Sequence, residues 1–179
     1  MRRRIRADQK SLHCPFNPVA TVRAMTSVEI ANQNDVGALV ELEARLFAED
    51  AGVHDPHADV SWPEREGAAD FQRLLADDKS VVLVARLDGQ VVGHVAGYRS
   101  QSSPTRQSVT VGVLRSMYVR SSARGAGVGR RLTEAFIDWA RDQGCIEVHV
   151  DSYFENAPAR RLYERSGFAA RSVSHVRRL

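Results

Sequence analysis

The spacing of apolar residues divides the chain into segments of two kinds. In one kind, apolar residues recur every three or four positions, as Val36, Leu39, Leu42 and Leu46 do, which is typical of an amphipathic helix. In the other kind, apolar and polar residues alternate or β-branched residues form short runs, which is typical of strands. The helical pattern covers 34–50, 68–78, 129–144 and 156–167, and the strand pattern covers 27–31, 80–87, 90–100, 108–119, 145–152 and 168–179.

Capping residues mark the ends of the predicted helices. Asn34 and Asn156 stand where the first and last helices begin, and an asparagine side chain at this position can accept a hydrogen bond from an unpaired backbone N–H group. Gly144 and Gly167 follow the last residues of two predicted helices, where a left-handed residue commonly ends a helix. These residues set the predicted lengths of the helices.

The connecting segments complete the predicted topology. Asp88 and Gly89 separate two strand runs, and this pair favours the two-residue turn of a β-hairpin. Residues 51–67, rich in Gly, Pro and Asp, are predicted to form a loop or a broken helical lid, and residues 103–107 another turn. The order of elements is strand, two helices, three strands, helix, strand, helix, strand. This order predicts a mixed α/β sheet with helices on its faces.

The basic character of the chain belongs to its first residues. The chain has 179 residues and a formal net charge of +3. Residues 1–24 carry six basic residues and one acidic residue without any periodicity, and they are predicted to be a disordered N-terminal extension. Residues 25–179 then form one domain in which 19 basic residues stand against 21 acidic ones. This balance gives no electrostatic case for a nucleic-acid partner.

Composition also bounds the compartment. No run of about 18 apolar residues is present, so no membrane span is expected. Cys14 and Cys145 are the two cysteines, which is too few for a disulfide framework. The N-terminal residues lack the apolar centre of a secretory signal. The sequence therefore predicts a cytoplasmic protein.

A glycine-rich turn precedes the helix predicted at 129–144. In the stretch RSSARGAGVGRRL, Gly125, Gly127 and Gly129 alternate with other residues. Because glycine has no Cβ atom, an anion can approach the backbone N–H groups closely, and the helix dipole adds positive potential. The turn can therefore bind phosphate, and a tight turn without a ligand is the alternative. The dinucleotide and triphosphate-loop motifs are absent, since each requires a glycine where Arg130 stands.

Two motifs in order resemble those of a known family. The first is R-x-x-G-x-G at 124–129, and the second is NAPARRLYERSGF at 156–168. Together with the order of elements across 27–179, they resemble the GNAT superfamily of acetyl-CoA-dependent N-acetyltransferases. The resemblance implies a mostly antiparallel central sheet, splayed between its fourth and fifth strands, with helices on both faces. It also implies direct transfer of acetyl from acetyl-CoA to a primary amine, without a metal.

The same resemblance assigns residues to the cofactor. In the family, the glycine turn holds the pyrophosphate of coenzyme A, and the preceding strand offers backbone groups to the pantetheine arm. The asparagine that opens the second motif helps to bind that arm. The implied cofactor-binding residues are Met117, Tyr118, Val119, Arg124, Gly125, Ala126, Gly127, Val128, Gly129 and Asn156.

The second motif also implies a catalytic acid. Tyr163 takes the position that, in the family, lies near the sulfur and protonates the departing thiolate. The backbone N–H of Val119 is expected to stabilise the oxyanion that forms when the amine attacks. The alternative for Tyr163 is a packing role, because it stands four residues after Ala159 and four before Gly167 on the same helix.

The general base departs from the family pattern. Many members carry a carboxylate just before the triplet equivalent to Met-Tyr-Val, but Arg115 and Ser116 occupy those positions here. Asp151, Glu49 and Asp50 are the candidate bases, and a chain of water molecules without a single base is equally tenable. The missing carboxylate also keeps a second function open, in which the chain is a non-catalytic module that binds or senses acyl-CoA.

The predicted acceptor region is acidic. Residues 46–67 contain six acidic residues and one arginine, Arg65, which favours a cationic amine such as an aminoglycoside-like compound, a polyamine or a lysine side chain. A solvated acidic loop is the alternative. His54 and His57 have a spacing that can bind metal, but no third ligand is evident, so no metal is expected. A homodimer formed through the final strand is possible on the family pattern.

Overall fold

A five-stranded sheet forms the centre of the protein. The computed structural model describes residues 26–103 and 107–179. The strands are β1 (Ser27–Ile30), β2 (Ser80–Leu87), β3 (Gln90–Gln101), β4 (Thr110–Val119) and β5 (Glu147–Val150). They lie side by side in this order, antiparallel from β1 to β4 and parallel between β4 and β5.

Helices cover both faces of the sheet. They are α1 (Val36–Leu46), continued by a π-helix (Phe47–Ala51) and the short α2 (Gly52–His54), then α3 (Trp62–Ala76), α4 (Val128–Asp142) and α5 (Ala157–Arg165). Leu42 of α1 packs with Phe71 of α3 on one side, and Leu132 and Phe136 of α4 pack on the other. Within 26–103 and 107–179, no helix has the length and apolar content to cross a membrane.

The central strands are apolar on both faces because helices cover both. In β2, Val82 and Val84 pack with α1 and α3, whereas Val81, Leu83 and Ala85 pack on the α4 side. Successive side chains of a strand point to opposite faces. An uninterrupted apolar run therefore marks a strand that is buried on both sides, and the mixed α/β prediction is confirmed.

The fourth and fifth strands separate part of the way along β4. Among the described residues, the parallel pairing of these strands reaches only to Leu114 and Val150, where β5 ends. β4 continues through residues 115–119, which stay paired with β3 on the other edge. The predicted splay between the fourth and fifth strands is confirmed, and it opens a gap beside the second half of β4.

A β-bulge lies at the point where the strands separate. Ala96 of β3 pairs with Ser116, and Gly97 pairs with Leu114, so Arg115 is the extra residue of β4. A bulge interrupts the alternation of side chains along a strand. Arg115 and Ser116 consequently both direct their side chains toward the face covered by α1 and α3.

The helical boundaries differ from the prediction in two places. Asn34 does not cap the first helix; the cap lies at Asn32, before the 3-10 turn that leads into α1, where Asn32 Oδ1 accepts from Asn34 N at 2.9 Å and Asn32 N donates to Asp35 Oδ2 at 3.0 Å. A 3-10 turn, Gln33–Asp35, precedes α1 and moves the cap two residues upstream. Residues 51–67, predicted as a loop or a broken helical lid, form a broken helical segment, since the π-helix and α2 extend α1. The second predicted helix, at 68–78, begins earlier than predicted, because α3 starts at Trp62 and Pro63 fits its first turn.

The predicted strand at 168–179 is wrong. Residues 168–179 are described without regular secondary structure, and Val173 and Val176 are exposed. Alternation alone does not make a strand, because its backbone groups also need a neighbouring strand as hydrogen-bond partner. This segment contacts the sheet through a side chain, because Arg171 Nη1 lies 3.1 Å from Glu147 Oε2 in β5.

The turn predictions are confirmed where the structure describes them. Asp88 and Gly89 have φ of 50° and 80°, as the predicted hairpin turn requires. Gly144 and Gly167 have φ of 73° and 87° at the ends of α4 and α5. The N-terminal extension at 1–24 and the centre of the turn at 103–107 lie outside the described residues.

Candidate active site

The second half of β4 turns one edge toward the gap. Arg120 N donates to Val92 O at 2.8 Å. Because hydrogen-bonding direction alternates along a strand, Arg120 and every second residue before it, including Tyr118, direct their backbone groups toward β3. Met117 and Val119 alternate with them and direct their N–H and C=O groups into the gap. Such an edge can bind an extended ligand in the way that it would bind another strand.

The glycine turn lies between β4 and the N-terminus of α4. Gly125 and Gly127 have φ of 79° and 80°, and a Cβ atom built on either would meet nothing within 4 Å. Gly127 is the N-cap of α4, a helix of 15 residues. A Cβ on Gly129 would instead lie 3.3 Å from Leu162, so that glycine allows close packing of α5. Residues 124–129 therefore form an open turn of backbone N–H groups at a helix N-terminus, which suits an anion.

Arg124 connects this turn to the strand and to the π-helix. Its Nε donates to Val119 O at 2.8 Å, and its Nη2 donates to Glu49 Oε2 at 2.7 Å. The guanidinium carbon lies 5.1 Å from the centre of the Tyr118 ring. The Tyr118 hydroxyl donates to Glu49 Oε1 at 2.6 Å, so both oxygens of this carboxylate are engaged.

These contacts change the acidity of both partners. The hydrogen bond from Tyr118 and then the one from Arg124 hold the pKa of Glu49 below its usual value. Burial, together with the hydrogen bond to Glu49, raises the pKa of Tyr118. Tyr118 is therefore a buried anchor for the π-helix, and its side chain faces away from the gap that its neighbours line.

The second motif brings Asn156 and Tyr163 close to Asp50. Asn156 Oδ1 accepts from Ala159 N at 3.0 Å, which confirms the predicted cap, and its Nδ2 donates to Asp50 Oδ1 at 2.8 Å. Tyr163 packs edge-to-face on Phe168, with ring centres 5.6 Å apart. Burial and then the negative charge of Asp50 raise the pKa of Tyr163 to about 12. Its phenol therefore keeps its proton at neutral pH.

A cleft of about 710 Å³ lies where the π-helix, β4 and the segment after β5 meet. Phe47 and Trp62 form part of its wall and stack on each other, with ring centres 5.8 Å apart and planes 19° apart. Tyr153, which follows β5, also lines the cleft. The cleft also contains four acidic residues and one basic residue: Glu43, Asp50, Asp59, Asp151 and Arg115.

The three carboxylates considered as bases have different positions. Glu49 does not line the cleft and is engaged by Tyr118 and Arg124. Asp50 lines the cleft but bonds to Asn156, and it lies 3.5 Å from His54 Nε2. Asp151 is exposed at the rim of the cleft.

A fourth carboxylate was missed by the sequence patterns. Glu43 of α1 lines the floor of the cleft, although its side chain is only 3% exposed. Its Oε2 lies 3.0 Å from Nε2 of the fully buried His94, which is 3.4 Å from Ser116 Oγ. The available signal was position: Glu43 follows Leu42 on the apolar face of α1, where a charged residue is unexpected.

Arg115 is half-buried and contacts the same group. Its Nη1 lies 2.6 Å from Asp70 Oδ2, and its Nη2 lies 4.0 Å from Glu43 Oε1. Asp70 is buried and also pairs with Arg73. Burial opposes ionisation of Glu43, but the hydrogen bond and charge of His94, with further contributions from Arg115 and Ser116, bring its pKa below the ordinary value.

The histidines near the cleft do not form a metal site. His54 pairs with Asp50 and packs against Tyr153, with ring centres 5.2 Å apart, and His57 is exposed. In the part of the chain that the structure describes, no group of three or more His, Cys, Asp or Glu residues is arranged to hold a metal ion.

Comparison with known proteins identifies relatives of the chain. Residues 40–168 match the acetyltransferase (GNAT) family. Aminoglycoside N(6')-acetyltransferase type 1 of Stenotrophomonas maltophilia is 34% identical over 110 residues, which cover 60% of this chain and 72% of that protein. Glucosamine 6-phosphate N-acetyltransferase of Trypanosoma brucei brucei is 35% identical over 140 residues, which cover 74% of this chain and 92% of that protein.

The fold also matches a solved structure. Aminoglycoside N-acetyltransferase AAC(6')-Iy, in complex with CoA, aligns with a TM-score of 0.68 and 21% identity. The alignment covers 87% of this chain and 97% of that chain. At this level of identity the likeness shows a shared fold.

Proposed function

The chain belongs to the acetyltransferase (GNAT) family and is an acetyl-CoA-dependent N-acetyltransferase, and we propose that it acetylates a primary amine of a small cationic molecule. The acceptor binds in the acidic cleft beside the open edge of β4. The observation that carries this proposal is that the acceptor cleft and the cofactor edge of β4 are adjacent. The cleft reaches Arg115 and Ser116, which directly precede the strand edge formed by Met117 and Val119.

The residues that we propose for acetyl-CoA fit its shape and charge. When bound, acetyl-CoA supplies the acetyl group through its thioester. The turn at 124–129 has N–H groups and open space for a pyrophosphate, since no atom lies within 4 Å of a Cβ built on Gly125 or Gly127. The edge offers the N–H groups of Met117 and Val119 and the C=O group of Met117 to an extended amide-containing arm, whereas Val119 O already accepts from Arg124. Asn156 helps to position this arm from the N-terminus of α5.

Tyr163 is the proposed acid for the leaving sulfur. Its raised pKa keeps the phenol protonated, so it can donate a proton to a thiolate but cannot act as a base at neutral pH. Asp50 sustains this state through its charge, and it also bonds to Asn156. The cofactor arm and the acid are thus supported by one carboxylate.

The charge of the cleft supports a cationic acceptor. The charge of Asp59 is balanced by Arg65 at 2.8 Å, and that of Arg115 is balanced by Asp70 and Glu43. Asp50 and Asp151 remain as acidic groups toward the cleft, between aromatic walls that suit the apolar face of a sugar ring or a carbon chain. An aminoglycoside-like amine fits this combination better than the phosphorylated amino sugar named for the second relative.

The test is the release of coenzyme A thiol from acetyl-CoA in the presence of a panel of amines. The panel contains aminoglycosides, linear polyamines, lysine peptides and glucosamine 6-phosphate. We expect the highest kcat/KM with the aminoglycosides or polyamines, and a fall in kcat/KM as salt screens the acidic cleft. A preference for glucosamine 6-phosphate or for peptides would contradict the proposed acceptor. Saturable binding of coenzyme A without release by any amine would favour the sensing module.

A further inference from the structure

The floor of the acceptor cleft contains a buried polar group that the acid, the cofactor seat and the cleft walls do not use. It consists of Glu43 from α1, His94 from β3 and Ser116 from β4. All three side chains are buried, yet Glu43 and Ser116 both reach the cleft. Burying a carboxylate in an apolar core is unfavourable unless it is paired. An ionisable group with a shifted pKa at the floor of a cleft is a candidate for a role in the reaction.

The bulge in β4 determines which residues face this floor. Because Arg115 is the extra residue, the side chain of Ser116 turns toward α1 directly before Met117, whose backbone lines the gap. Ser116 therefore presents a hydroxyl, and not a carboxylate, where the acceptor cleft meets the strand edge. Glu43 lies behind that hydroxyl, within reach of a hydrogen bond from it.

We propose that Glu43 accepts the proton of the attacking amine, and that the hydroxyl of Ser116 relays it. This inference rests on the proposed function. The acceptor nitrogen lies in the cleft beside Ser116, and Glu43 supplies from helix α1 the carboxylate that β4 lacks. His94 is a positioning residue, because its Nε2 contacts both Glu43 and Ser116 and holds the two oxygens toward each other.

The proton transfers balance across the reaction. As the bond between the amine nitrogen and the acetyl carbonyl carbon forms, the nitrogen becomes positively charged and its proton becomes acidic. That proton passes to Ser116 Oγ while the original hydroxyl proton of Ser116 passes to a carboxylate oxygen of Glu43. The carbon–sulfur bond then breaks, the electron pair stays on sulfur, and Tyr163 donates a proton to it. Glu43 later releases its proton to solvent, from which Tyr163 regains one.

The charges around Glu43 suit this role. His94 faces it from β3 and Arg115 from β4, and Asp70 of α3 holds Arg115 at 2.6 Å. The contacts to His94 and Arg115 keep Glu43 ionised when the cleft is empty, so it is ready to receive a proton. Asp50 and Asp151 face the same cleft from the π-helix and from the segment after β5. Asp50 is already bonded to Asn156, and Asp151 lies at the exposed rim.

The decisive experiment compares Glu43→Gln with the wild type and with Asp142→Asn, which removes an equal charge from an exposed position at the end of α4. Gln keeps the shape of Glu and can accept the hydrogen bond from His94, but it cannot take up a proton. We expect kcat with the best amine of the panel to fall about 100- to 1,000-fold at pH 7, within the range for loss of a general base. The loss becomes smaller as pH rises, because hydroxide replaces the missing base.

Two further measurements separate a chemical role from a structural one. The dissociation constant for coenzyme A and the melting temperature are expected to stay near the wild-type values in Glu43→Gln. Ser116→Ala, which removes the relay, is expected to lower kcat with the same dependence on pH. Unchanged kcat in Glu43→Gln, or a loss that is equal at every pH and accompanied by a lower melting temperature, would overturn the inference. A wild-type enzyme that turns over no amine would instead contradict the proposed function itself.

Discussion

The cofactor side and the acceptor side of the gap are built from different parts of the chain. On the cofactor side, the proposed ligands are backbone groups of the β4 edge and of the turn at 124–129, followed by the N-terminus of α4. On the acceptor side, they are side chains, and the charges that remain toward the cleft are acidic. Backbone groups at a helix N-terminus attract an anion in a fixed geometry, whereas carboxylates attract cations with less regard to shape. The backbone conformation therefore determines which cofactor the site favours, and a few side chains determine which acceptor it favours.

The π-helix joins these two sides. Glu49 and Asp50 are consecutive residues, yet Glu49 bonds to Arg124 and Tyr118, while Asp50 bonds to Asn156 and lines the cleft. A π-helix carries one more residue per hydrogen-bonded turn than an α-helix and is frequent at functional sites. Here it lets one short segment hold the arginine of the glycine turn and the cap of α5 at the same time.

The largest effect is expected from breaking the backbone geometry on the cofactor side with Gly127→Val. Gly127 has φ of 80°, which a β-branched residue tolerates poorly, and the space beside it is open. The new side chain fills the proposed pyrophosphate seat. Losing two hydrogen bonds to a charged group lowers affinity about 1,000-fold. Isothermal titration with coenzyme A measures the change.

Gly89→Val is the matched control for this substitution. Gly89 also has φ of 80° and open space around it, but it lies in the β2–β3 turn. The control carries the same backbone strain, so its melting temperature is expected to fall as in Gly127→Val while its coenzyme A affinity stays unchanged. Equal affinities in the two variants would contradict the assignment of the glycine turn to the pyrophosphate.

The same contrast explains how much of the site was visible in the sequence. The cofactor side is local: residues 124–129 are contiguous, and their glycines report the backbone conformation that the turn requires. The sheet was also predictable, because β-branched runs and the Asp88–Gly89 turn specify strands through local preferences. Asn156 was recognised as a cap for the same reason, since capping depends only on residues one turn away.

The acidic segment 46–67 was visible in the sequence, but the buried floor of the acceptor cleft was not. Glu43, His94 and Ser116 come from three elements. Along the chain, His94 is 51 residues from Glu43 and 22 residues from Ser116, its two hydrogen-bond partners. Only the register of β3 on β4 and the bulge at Arg115 bring them together. The failed prediction at 168–179 has the same cause, since a strand depends on a partner that the segment itself does not specify. Of these three residues, only Glu43 could be noticed in the sequence, as an acidic residue on the apolar face of its helix.

Tyr163→Phe separates chemistry from binding on the cofactor side. The substitution removes the proposed proton donor but keeps the ring that packs on Phe168. We expect kcat to fall about 100-fold, at the lower end for loss of a general acid, with coenzyme A affinity unchanged. Because burial and Asp50 raise the pKa of Tyr163 to about 12, ionisation of this group adds no loss of wild-type activity between pH 6 and 9. Tyr98→Phe in β3 is the control, and weaker coenzyme A binding in Tyr163→Phe would instead indicate a packing role.

Asp151→Asn tests the charge of the acceptor side. Asp151 lies at the exposed rim of the cleft, so its attraction for a cationic amine is partly screened by water. KM for the amine is expected to rise about threefold, the size of one exposed ion pair, with kcat and coenzyme A affinity unchanged. The difference from the wild type disappears at high salt. Asp138→Asn on α4 removes the same charge far from the cleft, and an equal rise in KM there would mean that only overall charge matters.

The smallest effect is expected from Glu41→Gln, which removes an ion pair between the two sides of the gap. Glu41 of α1, the helix that borders the acceptor cleft, accepts from Arg120 at 2.9 and 2.8 Å, directly after β4. The hydrogen bonds from Arg120 and then Arg45 lower the pKa of Glu41 from 4.5 to about 2. A carboxyl whose pKa is lower in the folded state stabilises the fold above pH 4.5, and this contribution is lost as the pH falls toward 2. Glu41 is half exposed, so solvent screening limits the effect of Glu41→Gln on the free energy of unfolding to less than about 1 kcal/mol at pH 7. Urea unfolding at pH 7 and at pH 2 measures this free energy, with Glu66→Gln as the control. A difference from the wild type that persists at pH 2 would show that the Glu41 side chain stabilises the fold by packing and not by its charge.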